Sequence, residues 1–283
     1  LSSFLKDKVD LTLLSLSKKN ISQNYVSVNL CKNKEVDDFV CSAPKYDTII
    51  FLVGLAHSKG KLKDLNAFES INLMTLKNLI NALRKYDKIP DKIIYSSTIS
   101  VYGEKLHKNF YDENSLKSPN SPYARTKLDA EKFLIKDYFD KSWIIRLAPV
   151  YSPNFLRNIE RRTKIKRFFY RIGNGYTKLS LCNINNISNV IFEIINNKVP
   201  FGCYIISDKK EYSYNDLLYW NKAKHILSIP KIIIYLVYLF GKIIQNQFLV
   251  ENSVKLLSDN IFSSKKISKY IEFSSSLSNN KND

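Results

Sequence analysis

Tyr123 and Lys127 are the residues whose types and spacing most directly predict chemistry in this chain. They stand four positions apart at the start of a segment in which small or apolar residues recur through Leu134, a pattern that predicts a helix. Residues four apart share one face of a helix, so a phenol and an ammonium are expected to be neighbours. The ammonium would lower the phenol pKa from its usual value of about 10, and the tyrosine could then act as an acid or base at neutral pH.

Thr98 is expected to complete this group. It lies in the run Ser96-Ser97-Thr98-Ile99-Ser100-Val101-Tyr102-Gly103, which directly follows the apolar segment Lys92–Tyr95. That segment predicts a buried strand that ends in hydroxyl groups. A threonine hydroxyl at the end of a neighbouring strand could hydrogen-bond the substrate oxygen on which Tyr123 acts. The three residues together predict a proton relay.

The elements that must position these residues alternate between strand and helix through about the first half of the chain. This alternation predicts a parallel sheet covered by helices on both faces. Ligands of such sheets bind past the carboxyl ends of the strands, where Gly54, Thr98 and Pro149 all fall. The predicted strands are residues 11–16, 25–30, 47–53, 93–95 and 143–147, and the predicted helices are residues 1–8, 35–41, 66–85 and one that begins near Tyr123.

Beyond Tyr151 the alternation is less regular. A segment rich in Arg and Lys predicts a basic helix over residues 158–172, and Ser213 is expected to cap a later helix. The tail from residue 274 is rich in Ser, Asn and Lys, which predicts disorder. The other predicted helices are residues 184–195, 213–225, 230–242 and 251–257, and the predicted strands are residues 178–182 and 202–207.

The composition is that of a globular protein, with 283 residues, 45% hydrophobic and 25% charged. The net charge of +18 raises the question of nucleic acid or an anionic membrane as a partner. The basic residues are scattered and accompanied by abundant Asn and Ile, so a nucleic-acid surface is not predicted. The charge favours an anionic substrate, such as a phosphorylated or nucleotide-linked molecule.

The four cysteines form no CxxC pair, so neither a zinc site nor a disulfide framework is predicted, no other metal is expected, and a reducing cytoplasm fits. The N-terminus shows no signal-peptide pattern. The apolar run Ile232–Phe240 is much shorter than the roughly twenty residues of a spanning helix. This run and the net charge would suit a protein that acts at a membrane surface. The favoured interpretation is that the run packs inside the C-terminal part of the chain.

With these motifs in view, the chain resembles the extended short-chain dehydrogenase/reductases, specifically the NAD-dependent nucleotide-sugar epimerase/dehydratase group. The resemblance implies a Rossmann-like, doubly wound parallel α/β sheet lacking its first strand, with a small C-terminal α/β substrate-binding domain. It divides the chain into an NAD(P)-binding domain over residues 1–152, a mainly substrate-binding region interleaved with the last sheet elements over 153–273, and the tail. The motifs that carry it are Gly54-Leu55-Ala56, Asn72, Ser96 to Gly103, Tyr123-x-x-x-Lys127, Arg146 to Pro153 and Asn183 to Asn189.

The resemblance implies a role for each matching residue. Tyr123 would take a proton from a sugar hydroxyl, Lys127 would hold the nicotinamide ribose, and Thr98 would bond the sugar oxygen. Asn72 would support the lysine through a water. The implied cofactor-binding residues are Gly54, Leu55, Ala56, Ser96, Tyr123, Lys127, Pro149 and Val150, and the implied substrate-binding residues are Thr98, Tyr151 and Lys178.

Two departures from the family pattern concern the cofactor. The glycine-rich fingerprint Gly-x-x-Gly-x-x-Gly is not found, and because the opening helix looks cut in mid-pattern we expect that loop upstream of Leu1. The acidic residue that usually follows the second strand is replaced by Ser17-Lys18-Lys19. Lysines there could meet a 2′-phosphate, so NAD is predicted and NADP stays open.

The residues after Thr98 narrow the predicted reaction. Sugar 4,6-dehydratases carry an Asp-Glu pair directly after this threonine, whereas this chain has Ile99 and Ser100. Isoleucine cannot deliver a proton, so dehydration is not expected. The prediction is a UDP-hexose or UDP-N-acetylhexosamine 4-epimerase of surface-polysaccharide biosynthesis, cytoplasmic and homodimeric.

Two alternatives stay open. One is an NAD(P)-dependent 4-reductase or dehydrogenase of nucleotide- or polyprenol-diphosphate-linked sugars. The other is an inactive family member that binds a cofactor or a protein. The presence of Thr98, Tyr123 and Lys127 together argues against the inactive alternative, because drift would not be expected to spare all three.

Overall fold

The computed structural model describes residues 1–17, 24–56, 65–103, 105–106 and 108–277. Contacts divide these residues into two compact units, each assembled from several segments. Unit 1 takes its described residues from Leu1–Ser97, Pro122–Ile145 and Ile191–Cys203, and unit 2 from Thr98–Ser121, Arg146–Val190 and Tyr204–Asp283. The predicted domain boundaries stay predictions.

The helices and strands lie close to the predicted ones through most of the chain. The helices are α1 (Ser2–Leu5), α2 (Asn33–Ser42), α3 (Leu65–Glu69), α4 (Thr75–Lys85), α5 (Pro122–Asp137), α6 (Arg157–Thr163), α7 (Ile184–Ile195), α8 (Tyr214–Trp220), α9 (Lys231–Ile243) and α10 (Gln247–Leu257). The strands are β1 (Leu13–Ser15), β2 (Tyr25–Ser27), β3 (Thr48–Phe51), β4 (Lys92–Thr98), β5 (Phe110–Tyr111), β6 (Ser142–Leu147), β7 (Val150–Tyr151), β8 (Lys164–Ile165), β9 (Phe168–Ile172), β10 (Lys178–Leu179), β11 (Cys182–Asn183), β12 (Gly202–Ile206), β13 (Tyr212–Ser213), β14 (Ile226–Ile229) and β15 (Ile261–Phe262).

A parallel sheet with strand order β12-β6-β4-β3 confirms the predicted α/β fold class. β3 pairs in parallel with β4, from Thr48 opposite Lys92 to Phe51 opposite Tyr95. The central residues of β4 and β6 are buried, as expected of apolar strands covered on both faces. β4 runs on through the hydroxyl residues to Thr98, three residues beyond its predicted end.

The core of unit 1 forms where α4 covers the sheet. Its apolar side chains Leu76, Leu79, Ile80 and Leu83 recur at helical spacing and are all buried. The predicted helix over residues 66–85 is present, but a π-helical turn at Ser70–Met74 joins α3 to α4. The predicted opening helix is shorter than expected, since α1 ends at Leu5.

The predicted basic helix over residues 158–172 is wrong beyond Thr163. α6 ends there, and β8 and β9 form an antiparallel hairpin around Lys166, whose φ of 53° is left-handed. β9 also pairs in parallel with β14, a strand that the sequence interpretation missed. Aromatic residues of β9 suit a strand with neighbours on both sides, and this pairing overrides the helix predicted from the richness in Arg and Lys.

The predicted helix over residues 213–225 is also too long. Ser213 does cap α8, in a capping box with Asp216. The helix ends at Trp220, and Lys222 and His225 have left-handed φ values of 50° and 55°, which are incompatible with a continuing helix.

The packed part of unit 2 extends past residue 274, where disorder was predicted to begin. Leu277 is buried, and its N–H donates to Tyr212 Oη at 3.0 Å. Ser275 N–H likewise donates to Asn186 Oδ1 at 3.2 Å. Of the helices in the described residues, none is both long and apolar enough to cross a membrane.

Candidate active site

Lys127 is the buried cation of unit 1. Its side chain sits on α5, one turn after the half-buried Tyr123, and only 3% of Lys127 is exposed. Its Nζ donates to Val53 O at 3.3 Å and lies 4.6 Å from the centre of the Tyr95 ring. Burial lowers the pKa of Lys127 from 10.5 to about 8, against an opposing effect of the Glu131 charge. The ammonium therefore stays mostly charged at neutral pH in a site that disfavours its charge.

Asn72 connects the loop after β3 to helix α5. It lies fully buried in the π-helical turn, a feature often found at functional sites. Its Oδ1 accepts from Leu55 N–H at 2.6 Å, while its Nδ2 donates to Leu55 O at 3.3 Å and to Thr126 Oγ1 at 3.0 Å. These contacts hold the backbone beside Gly54 against the residue that precedes Lys127. Support of the lysine through a water stays a prediction.

Gly54 lets the strand end approach this pair closely. A Cβ at Gly54 would lie 3.3 Å from Lys127 Nζ and 3.6 Å from Asn72 Oδ1. The first distance is tighter than most real Cβ contacts, so a side chain here would displace the ammonium. Position 54 therefore requires a residue without a side chain.

Unit 1 also contains two polar contributors that the sequence interpretation missed. Glu131, one turn beyond Lys127 on α5, is fully buried and accepts from Ser97 Oγ at 2.5 Å. Tyr95 is also fully buried, and burial followed by the Glu131 charge raises its pKa well above the usual value. The spacing of Glu131 from Lys127 on one helix face was a signal that could have identified it.

Thr98 belongs to unit 2, where it caps a short turn. It is buried, and its Oγ1 accepts from Ser100 N–H at 3.2 Å at the start of the 3₁₀ turn Ile99–Tyr102. Ile99 is buried as well, so the first position after Thr98 holds a core side chain.

Tyr151 lies in a hydrogen-bonded network centred on Asp208. Its Oη donates to Asp208 Oδ2 at 2.7 Å, and Tyr212 Oη donates to the same oxygen at 2.9 Å. Asp208 Oδ1 accepts from Asn183 N–H and Asn186 Nδ2, both at 2.8 Å. Burial raises the Asp208 pKa, and the hydrogen bonds oppose that shift. The sequence interpretation missed Asp208, although it follows the end of β12, where the strand-end rule points.

The other predicted residues are distributed between the units. Gly54, Leu55, Asn72 and Lys127 lie together in unit 1. Their predicted roles, like those of the remaining residues, stay proposals. Unit 1 also contains the half-buried Ser96 and the exposed Ala56. Unit 2 contains the buried Thr98 and Tyr151 and the half-buried Pro149 and Val150. It also contains the exposed Lys178, which forms an ion pair with Glu211 at 3.1 Å.

Lys127 provides a test of whether unit 1 suits a nicotinamide cofactor. An ammonium has three N–H donors, and within the described residues Lys127 Nζ uses one of them, in its hydrogen bond to Val53 O. A buried cation with donors left over suits the hydroxyl oxygens of a ribose, so these residues fit the cofactor. Lys18 and Lys19, considered for a 2′-phosphate, lie outside the described residues. No group of His, Cys, Asp and Glu in the described part of the chain could hold a metal ion.

The profile of the NAD-dependent epimerase/dehydratase family matches residues 2–189. The chain belongs to this family, as the fold and the Tyr-x-x-x-Lys helix indicate. NAD is the family's cofactor.

Curated relatives of two kinds match the chain. The dTDP-D-glucose 4,6-dehydratases of Mus musculus and Homo sapiens are 30% identical over 156 residues, which is 52% of this chain and 42% and 43% of theirs. The Bacillus subtilis protein described as an uncharacterized UDP-glucose epimerase, YtcB, is 39% identical over 85 residues, 29% of this chain and 26% of its own. The matches to the dehydratases thus span less than half of their length.

Solved structures share the fold over almost the whole chain. The UDP-Glc/GlcNAc 4-epimerase of Campylobacter jejuni has a TM-score of 0.73 at 16% identity, covering 97% of this chain and 89% of that one. The UDP-glucuronic acid 4-epimerase of Bacillus cereus, in complex with NAD, has a TM-score of 0.66 at 20% identity, covering 92% and 77%. At these identities the likeness establishes the Rossmann-like fold and nothing finer.

Proposed function

We propose that this protein is a nucleotide-sugar 4-epimerase that uses bound NAD and acts on a UDP-hexose or UDP-N-acetylhexosamine in surface-polysaccharide biosynthesis. The observation that carries the proposal is the buried Lys127, whose pKa is about 8, one helical turn after Tyr123. A lysine in that position lowers stability, so its presence favours a role for its charge. Such a charge beside a phenol supports proton transfer.

In the proposed reaction, the Tyr123 phenolate takes the proton of the sugar C4 hydroxyl and later returns it to the C4 oxygen. Lys127 stabilises the phenolate by its positive charge and donates hydrogen bonds to the nicotinamide ribose. Thr98 donates a hydrogen bond to the sugar oxygen. NAD, when bound, supplies reversible hydride acceptance at C4. The 4-keto sugar would turn its other face to the cofactor before the hydride returns, so C4 would be inverted with no net redox change.

Epimerisation is favoured over dehydration by the two positions after Thr98. Elimination of water needs an acid near the departing hydroxyl, but this chain has the buried Ile99 and then Ser100 there. The similarity to proteins described as dehydratases is 30% identity over 52% of this chain, and it does not by itself distinguish the two reactions. Ile99 and Ser100 are therefore the reason that we propose epimerisation and not the dehydration named for these relatives.

The test is to incubate the full chain with NAD and a panel of UDP-hexoses and their N-acetyl forms, and to follow the axial-to-equatorial ratio at C4 by NMR. We expect interconversion of the C4 epimers without net formation of NADH. Tyr123→Phe should lower the rate by about 10³-fold or more and leave NAD affinity nearly unchanged, because it removes one proton-transfer group. Tyr138→Phe, a half-buried tyrosine just after α5, is the matched control.

Three outcomes would contradict parts of this proposal. Normal epimerisation by Tyr123→Phe would show that Tyr123 is not the proton-transfer group. Stoichiometric use of NADH or NADPH with a keto-sugar would indicate the 4-reductase alternative. NAD binding without turnover of any sugar in the panel would favour the inactive, cofactor-binding alternative.

A further inference from the structure

Helix α9 in unit 2 has an uncovered apolar face. Its four most exposed apolar residues are Ile232 at 61%, Leu236 at 57%, Phe240 at 55% and Ile243 at 79%. They are spaced by four, four and three positions and therefore lie along one side of the helix, which we call the α9 face. The favoured interpretation of this run, that it packs inside the C-terminal part of the chain, is wrong for this face.

The orientation of α9 is fixed by its contact with α10. Gly241 is buried, and a Cβ there would lie 2.9 Å from Leu249 Cβ, so the two helices approach closely at this point. Tyr238 and Ile234, one and two turns earlier on the same side as Gly241, are half-buried. The contact with α10 therefore lies on the side of α9 opposite the α9 face, and the α9 face is exposed to solvent.

Two segments of the chain, one containing α9 and one containing β9, carry basic residues and no acidic residue. Residues 217–250 contain no Asp or Glu. Residues 161–190, which include β9, also contain no Asp or Glu, and the parallel pairing of β9 with β14 places the two segments side by side. Their cations are Arg161, Arg162, Lys164, Lys166, Arg167, Arg171 and Lys178 in the first segment, and Lys222, Lys224, Lys231 and Lys242 in the second.

We propose that the α9 face docks on the surface of an anionic lipid bilayer, with the helix lying in the plane of the interface. An apolar helical face on a helix whose charged residues are lysines on its other side is the pattern of interfacial helices, in which the apolar side chains enter the acyl boundary and the cations meet the headgroups. Tyr235, at the edge of the α9 face, stacks on Tyr238, whose ring lies 5.0 Å from Lys242 Nζ. Tyrosine and lysine are suited to headgroup depth because each has an apolar body and a polar tip.

Charge complementarity favours lipid over a second copy of the chain. A two-fold contact through the α9 face would place the same surface opposite itself, so the basic segments of one copy would face those of the other. Like charges facing each other oppose association, whereas anionic headgroups supply the opposite sign. The homodimer expected from the family resemblance must then use another face.

Vesicle flotation of the full chain tests this proposal. We expect the protein to float with vesicles of phosphatidylcholine and phosphatidylglycerol, and to remain behind with phosphatidylcholine alone. The double variant Leu236→Ser and Phe240→Ser should bind the anionic vesicles roughly tenfold or more weakly, because both side chains would lose their burial in lipid. The matched control, Leu116→Ser and Phe155→Ser, changes an equally exposed leucine–phenylalanine pair elsewhere in unit 2 and should bind as the wild type does.

Lys231→Glu and Lys242→Glu together should reduce the preference for anionic lipid, and high salt should weaken wild-type binding. All substituted side chains are exposed, so thermal unfolding should show each variant folded. Absence of wild-type binding to anionic vesicles would overturn the proposal, as would unchanged binding by the Leu236 and Phe240 double variant. A wild-type dimer that this double variant turns into a monomer would instead assign the face to a second copy.

Discussion

Replacing Lys127 by methionine should make the fold more stable while abolishing the proposed activity. Methionine is of similar length and apolar, so it can fill the same space without a charge. The lysine has its pKa lowered from 10.5 to about 8 by burial. That shift means the folded protein destabilises the charged ammonium relative to the unfolded chain, and the substitution removes this destabilisation.

The expected gain in the free energy of unfolding follows from the shift in the Lys127 pKa. At about 1.4 kcal/mol for each tenfold change in the ionisation constant, a pKa lowered from 10.5 to about 8 corresponds to about 3 kcal/mol. The variant also loses the hydrogen bond from Nζ to Val53 O, a long one at 3.3 Å, which contributes about 1 kcal/mol. The net expectation near neutral pH is an increase of about 2 kcal/mol in the free energy of unfolding.

The gain should depend on pH in a defined window. Below about pH 8, Lys127 is charged in both the folded and unfolded states and the full destabilisation is present. Between about 8 and 10.5 the folded protein loses this proton while the unfolded chain keeps it, so wild-type stability rises with pH relative to the variant. Above 10.5 both states are neutral at this position, and the electrostatic advantage of the variant disappears.

Urea denaturation of wild type and Lys127→Met, at neutral pH and at about pH 10, measures both effects. Lys132→Met on the same helix is the control, because Lys132 is exposed and pairs with Asp129 at 3.2 Å on the surface. Its effect should stay within about 0.5 kcal/mol in either direction. A variant less stable than wild type at neutral pH, or an advantage unchanged at about pH 10, would refute the reasoning.

Three further substitutions test other contacts. Asn72→Ala should lower the free energy of unfolding by about 2–3 kcal/mol in urea titrations, because the N–H and C=O of Leu55 both lose their partner, and an effect below about 0.5 kcal/mol would contradict this. Tyr151→Phe should lower it by about 1–2 kcal/mol, since Asp208 keeps its other donors, and a complete loss of folding would show that more than one hydrogen bond depends on the hydroxyl. Gly54→Val should weaken NAD binding about tenfold in calorimetry by displacing the ammonium, with a stability change under about 1 kcal/mol, and normal affinity would show that the close approach is not required.

The parts of the fold that could be predicted are those determined by local pattern. α7 begins and ends where its periodicity indicates, at Ile184 and Ile195, and the sheet strands appear where continuous apolar runs occur. The hairpin of β8 and β9 could not be predicted in this way. Its Arg and Lys content suggested a basic helix, but its conformation is decided by pairing with β14, more than fifty residues further along the chain.

The site was predictable in its residue types and less so in its contacts. The spacing of Tyr123 and Lys127 places both on α5, as observed. The partners of Asn72 are Leu55 and Thr126, 17 and 54 residues away, and no local pattern reports such contacts. The burial that lowers the Lys127 pKa is likewise a property of the folded sheet and helix, so the sequence could supply the lysine but not its environment.

Hydrogen bonding distinguishes a structural buried charge from a functional one in this protein. Asp208 is buried, but it accepts hydrogen bonds from Tyr151, Tyr212, Asn183 and Asn186, which is what a carboxylate needs to remain stable inside a fold. The Lys127 ammonium, within the described residues, donates one long hydrogen bond. A buried carboxylate whose hydrogen bonds are satisfied can be explained by stability alone, whereas a buried ammonium with further N–H donors is also able to donate to ligand oxygens. The proposed chemistry therefore depends on Lys127 of α5 and on Thr98 of unit 2, whereas Asp208 stabilises the packing around Tyr151 and Tyr212.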